Sequence, residues 1–199
     1  MSDKVQSLDS IGPMSVSAEG GSADPVSQEY EEGKKYRENQ QYGQAAVALH
    51  NALIGFEERD DDNGIANASN QLGHLCLARE DYNNALQHYQ RALEICDKSN
   101  DRMSILAVQA KVVAVYRGLK DFDKAIELSL EILDLYQDNR DPGGSVKVLE
   151  EMAEIYIEAG KLQKAADAYK TIASLHKNFK HDNHAAKYMA KAAHLETPS

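Results

Sequence analysis

Three clusters in this 199-residue chain carry side chains able to do chemistry. His181 and His184, with Asp182 between them, offer two imidazoles at i, i+3 spacing, the ligand type that zinc takes. Asp60, Asp61 and Asp62 run into Asn63-Gly64, the composition of a calcium-binding turn. Glu150, Glu154 and Glu158 fall at i, i+4 and i+8, which puts three carboxylates on one helix face, suited either to a basic segment or simply to solvent. None of the three has the ligands or partners of a reaction centre. Two imidazoles are half of a tetrahedral metal site. Counted back from Gly64, the first calcium-ligand position is Arg59 and the last is Asn70 instead of Glu, so the turn reads as a solvated helix cap. The sequence has no G-x-x-x-x-G-K-[ST] phosphate loop, H-E-x-x-H pair, G-x-S-x-G elbow or C-x-x-C pair. The expectation is a protein without catalytic residues, metal or cofactor, and not an enzyme.

The remaining candidate chemistry is equally quiet. Cys76 and Cys96 both sit inside helical patterns and read as two reduced core thiols, too few for a disulfide framework. Asn67-Ala68-Ser69 has the form of a glycosylation acceptor but falls within a helix. A net charge of -10 repels phosphate backbones and anionic lipid, which argues against nucleic acid or a membrane surface as partner. No apolar run approaches the roughly 18 to 20 residues of a membrane span and no signal-peptide core is present, so a soluble, cytoplasmic protein is expected.

The elements that must position these groups follow from a repeat. Residues 1–26, with six Ser, three Gly and two Pro and no apolar period, are expected to form a disordered, solvated tail, with Ile11, Met14 and Val16 as candidates for a short docking motif. Beyond them one spacing of 40 residues recurs without insertion: Ala45, Ala85, Ala125 and Ala165 stand in register. Three residues before each come Tyr42, Tyr82, Phe122 and Leu162, and seven after come Ala52, Ala92, Ile132 and Ile172. Nine before stand Tyr36, Cys76, Tyr116 and Tyr156, and twelve before stand Gly33, Gly73, Val113 and Ala153. Small residues where helices cross and large ones where a gap must be filled are what two antiparallel helices per repeat require. Turn-forming residues interrupt the pattern midway through each unit, as at Glu80-Asp81, and between units, as at Asp141-Pro142-Gly143-Gly144. The spacing predicts nine helices: repeats at 27–62, 63–102, 103–142 and 143–182, and a capping helix at 183–196.

These residues resemble the tetratricopeptide repeat (TPR) family, with Leu72-Gly73, Ala85, Tyr89 and Ala92 filling its hallmark positions, and the likeness covers about residues 27–196. The family's early Trp is replaced by Glu29, Ser69, Gln109 and Leu149, and its helix-ending Pro by Glu57, Asp97, Gln137 and Lys177. A repeat longer than the usual 34 or so residues, by about 9 Å of helix, has no reason to stop at that Pro. The chain is similar in this to the 40-residue subclass of spindle adaptors of the LGN kind. The resemblance implies an all-α fold, a right-handed superhelical solenoid of four helix pairs plus a C-terminal capping helix, that binds a peptide or protein segment on its concave side.

It also implies which residues line that groove. The first repeat would present Tyr30, Lys34 and Arg37, the second Asn67, Asn70 and His74, the third an apolar floor of Ala107, Ala110 and Ala114 ending at Arg117, and the fourth Glu150, Glu154 and Glu158. The amides and imidazole both donate and accept, which suits an acidic or backbone-rich ligand, and the glutamates suit a basic one. Lys34 and Asn70-Gln71 echo the clamp with which some TPR domains hold chaperone tails, but Ala107 and Lys111 do not, so no chaperone-tail binding is expected. The leading reading is a non-catalytic adaptor or scaffold. The alternatives are a regulatory sensor whose groove takes a small peptide or its own N-terminal tail, and a scaffold that assembles head to tail, because seven Lys against two Asp between Lys161 and Leu195 face an acidic run at Glu57 to Asp62.

Overall fold

The computed structural model describes residues 24–197. Among them are nine helices and no strand: α1 (Pro25–Glu38), α2 (Tyr42–Glu57), α3 (Asp62–Ala78), α4 (Tyr82–Lys98), α5 (Arg102–Gly118), α6 (Phe122–Asp138), α7 (Pro142–Glu158), α8 (Leu162–Asn178) and α9 (Asp182–Glu196). The helix α1 takes in Pro25 and Val26, the last two residues of the stretch expected to be a tail, and Asp24 caps it by accepting from Ser27 N–H at 3.1 Å. The rest of that stretch lies outside the described residues.

Every connection has one construction. Gln40, Asp60, Glu80, Asn100, Lys120, Arg140, Gly160 and Lys180, each twenty residues after the last, all have a φ between 53° and 71°. Seven of these eight are not glycine, although the left-handed region costs an L-residue roughly 1–2 kcal/mol. The compensation is a pair of hydrogen bonds. The left-handed residue donates to the carbonyl three back, and the next residue donates to the carbonyl five back, as in Asp121 N to Tyr116 O, over 2.8–3.1 Å at all eight sites. That next residue also starts the following helix, and Asp61, Asp101, Asp121 and Asp141 cap it by accepting from the N–H three residues on. The suspected calcium turn is one of these caps, Asp61 accepting from Gly64 N–H at 2.9 Å. The sequence showed a period of 40 residues; the backbone repeats every 20.

The helices form two compact units, residues up to Lys111 and from Val112. In the first, Ala45, Leu49, Ala52, Ala68, Leu72 and Leu75 build the core, none more than 2% exposed. Gly33 and Gly73 are small for a stated reason: a Cβ there would lie 2.7 Å from Leu49 Cγ and 2.6 Å from Tyr89 Cε1. Within the second, Ala125, Ile132, Ala153, Ile155, Ala165 and Ile172 are buried. Where the first unit sets glycine against Leu49 and Tyr89, the same two columns in the second hold Val113 and Ser129, then Ala153 and Tyr169, all of them buried.

Candidate functional site

In the first unit the implied groove residues gather on α1 and α3, and α4 supports them from behind. Tyr30 is largely core, its ring edge-on to Phe56 at 6.1 Å, and burial pushes its phenol up to about 12 against the opposing pull of a hydrogen bond with Gln71. Lys34 lies 5.2 Å over the Tyr30 ring and pairs with Glu31, which holds its ammonium near α1. On α3, His74 meets Tyr89 of α4, Oη to Nδ1 being 3.0 Å. Burial drives the Tyr89 phenol far up, so it keeps its proton, and its hydroxyl shares one hydrogen bond with Nδ1 of His74. Arg37 is close enough for its charge to act on both phenols.

This region holds a set of shielded polar atoms with no hydrogen-bond partner among the described residues: Arg37 Nε, Ser69 Oγ, Asn70 Oδ1, Gln71 Oε1 and Gln109 Oε1. Three of them are amide oxygens, which accept, one is a guanidinium N–H, which donates, and one is a hydroxyl, which does either. A shielded polar atom without a partner costs roughly 1–3 kcal/mol, so such a group tends to mark a place where something else supplies the bond. Asn67 and Asn70 are half-buried beside them, as are Ala107 and Ala110 on the first-unit part of α5. Gln71 and Gln109 were not among the residues implied by the resemblance. The signal for Gln109 was present, since it occupies a column that elsewhere holds Ser69 and Leu149, both buried.

The second unit is built differently. Arg117 reaches Glu158 with Nε 3.1 Å from both carboxylate oxygens and Nη2 2.6 Å from one of them, and Nη2 is also 3.0 Å from Glu154. The guanidinium holds the Glu158 carboxyl below its ordinary range. Glu150 accepts a hydrogen bond from Tyr188 of α9. The acidic ridge therefore exists, but each of its carboxylates already has a partner within the unit, and Arg117 serves as its clamp. Ala114 is half-buried.

The two imidazoles considered as metal ligands form a different structure. His184 stacks on His176 of α8 at 5.1 Å and 28°, and His181 lies 5.8 Å from His176. Ring faces meet there, and among the described residues no cluster of three or more ligating groups has metal-binding geometry. Cys76 and Cys96 are free thiols, and burial raises both. No described helix is long and apolar enough to cross a membrane.

The tetratricopeptide repeat family profile matches residues 33–98. No curated protein matches the sequence. Among solved structures, the chain is similar to a Podosopora anserina protein described as a kinesin light chain with nearly identical TPR-like repeats: TM-score 0.71, 16% identity, 87% of this chain and 89% of that one covered. It is also similar to the apo form of RapI, with TM-score 0.66, 14% identity and coverage of 85% and 69%. BtubC (BKLC) from P. vanneervenii follows with TM-score 0.59, 12% identity and coverage of 87% and 91%. Residues 33–98 thus match the tetratricopeptide repeat family, and the described residues have the all-α fold of TPR-like repeat proteins.

Proposed function

We propose that this protein is a non-catalytic, cytoplasmic adaptor of the 40-residue, LGN-like TPR kind, and that its first unit binds an extended segment of another protein along α1 and α3. The observation that carries this reading is the group of shielded, partnerless atoms Arg37 Nε, Ser69 Oγ, Asn70 Oδ1, Gln71 Oε1 and Gln109 Oε1. An extended backbone offers N–H donors and carbonyl acceptors in alternation, and so matches a face of three acceptors, one donor and the Ser69 hydroxyl, which does either, better than a purely acidic ligand would. Asn67 and His74 flank the group, and Lys34 adds positive charge that favours carboxylates on the ligand. The relatives of known structure support the fold on which this rests, and the functional reading stands on the residues.

The test is direct binding. A peptide selected from a random-sequence display against the full chain is labelled and titrated by fluorescence anisotropy. Replacing Asn67, Asn70 and His74 together by Ala should weaken it at least about tenfold, equivalent to about 1.4 kcal/mol. Replacing Glu154 and Glu158 by Gln should leave it within about twofold. Affinity unchanged by the triple replacement would move binding off this face. Affinity that rises when residues 1–23 are removed would identify the chain's own N-terminal segment as a competitor, the regulatory alternative.

A further inference from the structure

At two of the junctions between repeats, α2–α3 and α6–α7, an aromatic ring near the end of the second helix covers a glycine at the start of the following one. A Cβ on Gly64 would run into the Phe56 ring, and one on Gly144 into the Tyr136 ring. Forty residues beyond Tyr136 and Gly144 stand His176 and His184. Here the junction is two stacked imidazoles, and Tyr188 stacks on His176 as well, at 5.4 Å and 9°. His181, in the link, lies 6.1 Å from His184. The Tyr188 hydroxyl donates to Glu150 of α7, so the stack ties three helices together.

We infer that the α8–α9 junction is an acid-sensitive latch: in acid, positive charge gained by the imidazole stack centred on His176 loosens α9 and frees Glu150 from Tyr188. Glu150 of α7 faces the stack, and Lys191 of α9 lies 5.1 Å over the Tyr188 ring; Lys177, Lys180, Asp182 and Lys187 belong to the same helices and link. Three imidazoles with ring centres 5.1–6.1 Å apart repel one another once charged. Burial first, then the charges of His184 and His181, hold the His176 imidazole below its ordinary value of 6.5, against a smaller upward pull from Glu150. A folded-state value below the unfolded one means that the stabilisation is full above 6.5 and is lost as pH falls through the folded-state value. Release would expose Tyr188 and the buried Ala185 and Ala192, and would leave Glu150 able to accept from a basic ligand.

Amide hydrogen exchange on the full chain, corrected for intrinsic rates, tests this. Between about pH 7.5 and pH 5.5 the α9 amides should exchange at least about tenfold faster, while those of α6, which carries no histidine, stay within about twofold. The double replacement His176→Tyr with His184→Gly copies the Tyr136–Gly144 junction and should abolish the acid response. His176→Phe alone serves the same purpose if the glycine weakens α9. Unchanged α9 protection in the wild type overturns the latch. So does an equal acid response in a variant that folds at pH 7.5, since carboxylates would then be responsible.

Discussion

The two units present the same helix face in the same register and treat polarity in opposite ways. On the first unit's face, Arg37, Asn70, Gln71 and Gln109 each keep a shielded atom without a partner. On the second, Arg117 satisfies Glu154 and Glu158, and Tyr188 satisfies Glu150. The small-residue columns are equally buried in both, with Ala85 and Ala125 each at 0% exposure. A repeat therefore fixes the packing and leaves the polar face free to diverge. One face retains bonds for another molecule to make, and the other uses its bonds to hold itself together.

The largest expected effect tests the shared half of that comparison. Ala85→Arg and Ala125→Arg should each cost more than about 3 kcal/mol, because each adds volume to a filled crossing and buries a charge with no carboxylate at hand. Thermal unfolding followed by circular dichroism should show both variants strongly destabilised. A variant that melts like the wild type would mean that its helix pair does not cross at that residue.

The divergent half is tested by removing polar groups. Arg117→Met should cost about 1 kcal/mol, leaving Glu154 and Glu158 side by side, and the loss should shrink in high salt. Asn70→Leu removes a partnerless acceptor, so stability should hold or rise by up to about 1 kcal/mol while peptide affinity falls. If Asn70→Leu destabilised the chain as much as Arg117→Met, its amide would be a structural group, and the contrast between the faces would disappear.

How much of this was legible in the sequence follows from where each signal resides. The helix pairs were, because Ala45, Ala85, Ala125 and Ala165 must all be small for the same steric reason. The uniform 20-residue backbone was not, because its left-handed positions hold Gln40, Asp60, Glu80, Asn100, Lys120, Arg140, Gly160 and Lys180, whose common trait is a backbone torsion and no shared side-chain chemistry. Of the implied site, Asn67, Asn70 and His74 share the helix α3, whereas Gln71 and Gln109, which also keep shielded atoms, lay outside the positions that the resemblance implied. The Arg117–Glu158 clamp joins residues 41 apart, so a scan for pairs within one helix could not find it. His181 and His184 suggested a metal because their spacing is local, whereas their actual neighbour, His176, belongs to the preceding helix.

The left-handed positions offer a smaller effect that ignores the difference between faces. Glu80→Gly in the first unit and Lys120→Gly in the second each relieve an unfavourable torsion at the cost of more freedom in the unfolded chain. Each should raise stability by up to about 1 kcal/mol, read as a higher midpoint in urea with an unchanged slope. Equal gains would show that the connections are one device used throughout. A loss at either site would mean that its side chain makes a contact worth more than the torsion.

The smallest effect is the acid response of the clamp, and it returns to the contrast. Hydrogen bonds from Arg117, with its charge in support, hold the Glu158 carboxyl below its ordinary value of 4.5. A depressed folded-state value means that this stabilisation is full above about 4.5 and is lost as pH falls through the folded-state value. The pair is largely exposed, so solvent screens most of it. Wild type and Glu158→Gln should differ slightly in melting temperature at pH 6 and converge by about pH 3. Asn70→Leu, which touches no titrating group, should keep a constant offset from wild type over the same range. An offset that changed with pH for Asn70→Leu and stayed fixed for Glu158→Gln would place the titrating support on the first face, and the assignment of self-sufficient and partner-seeking faces would have to be reversed.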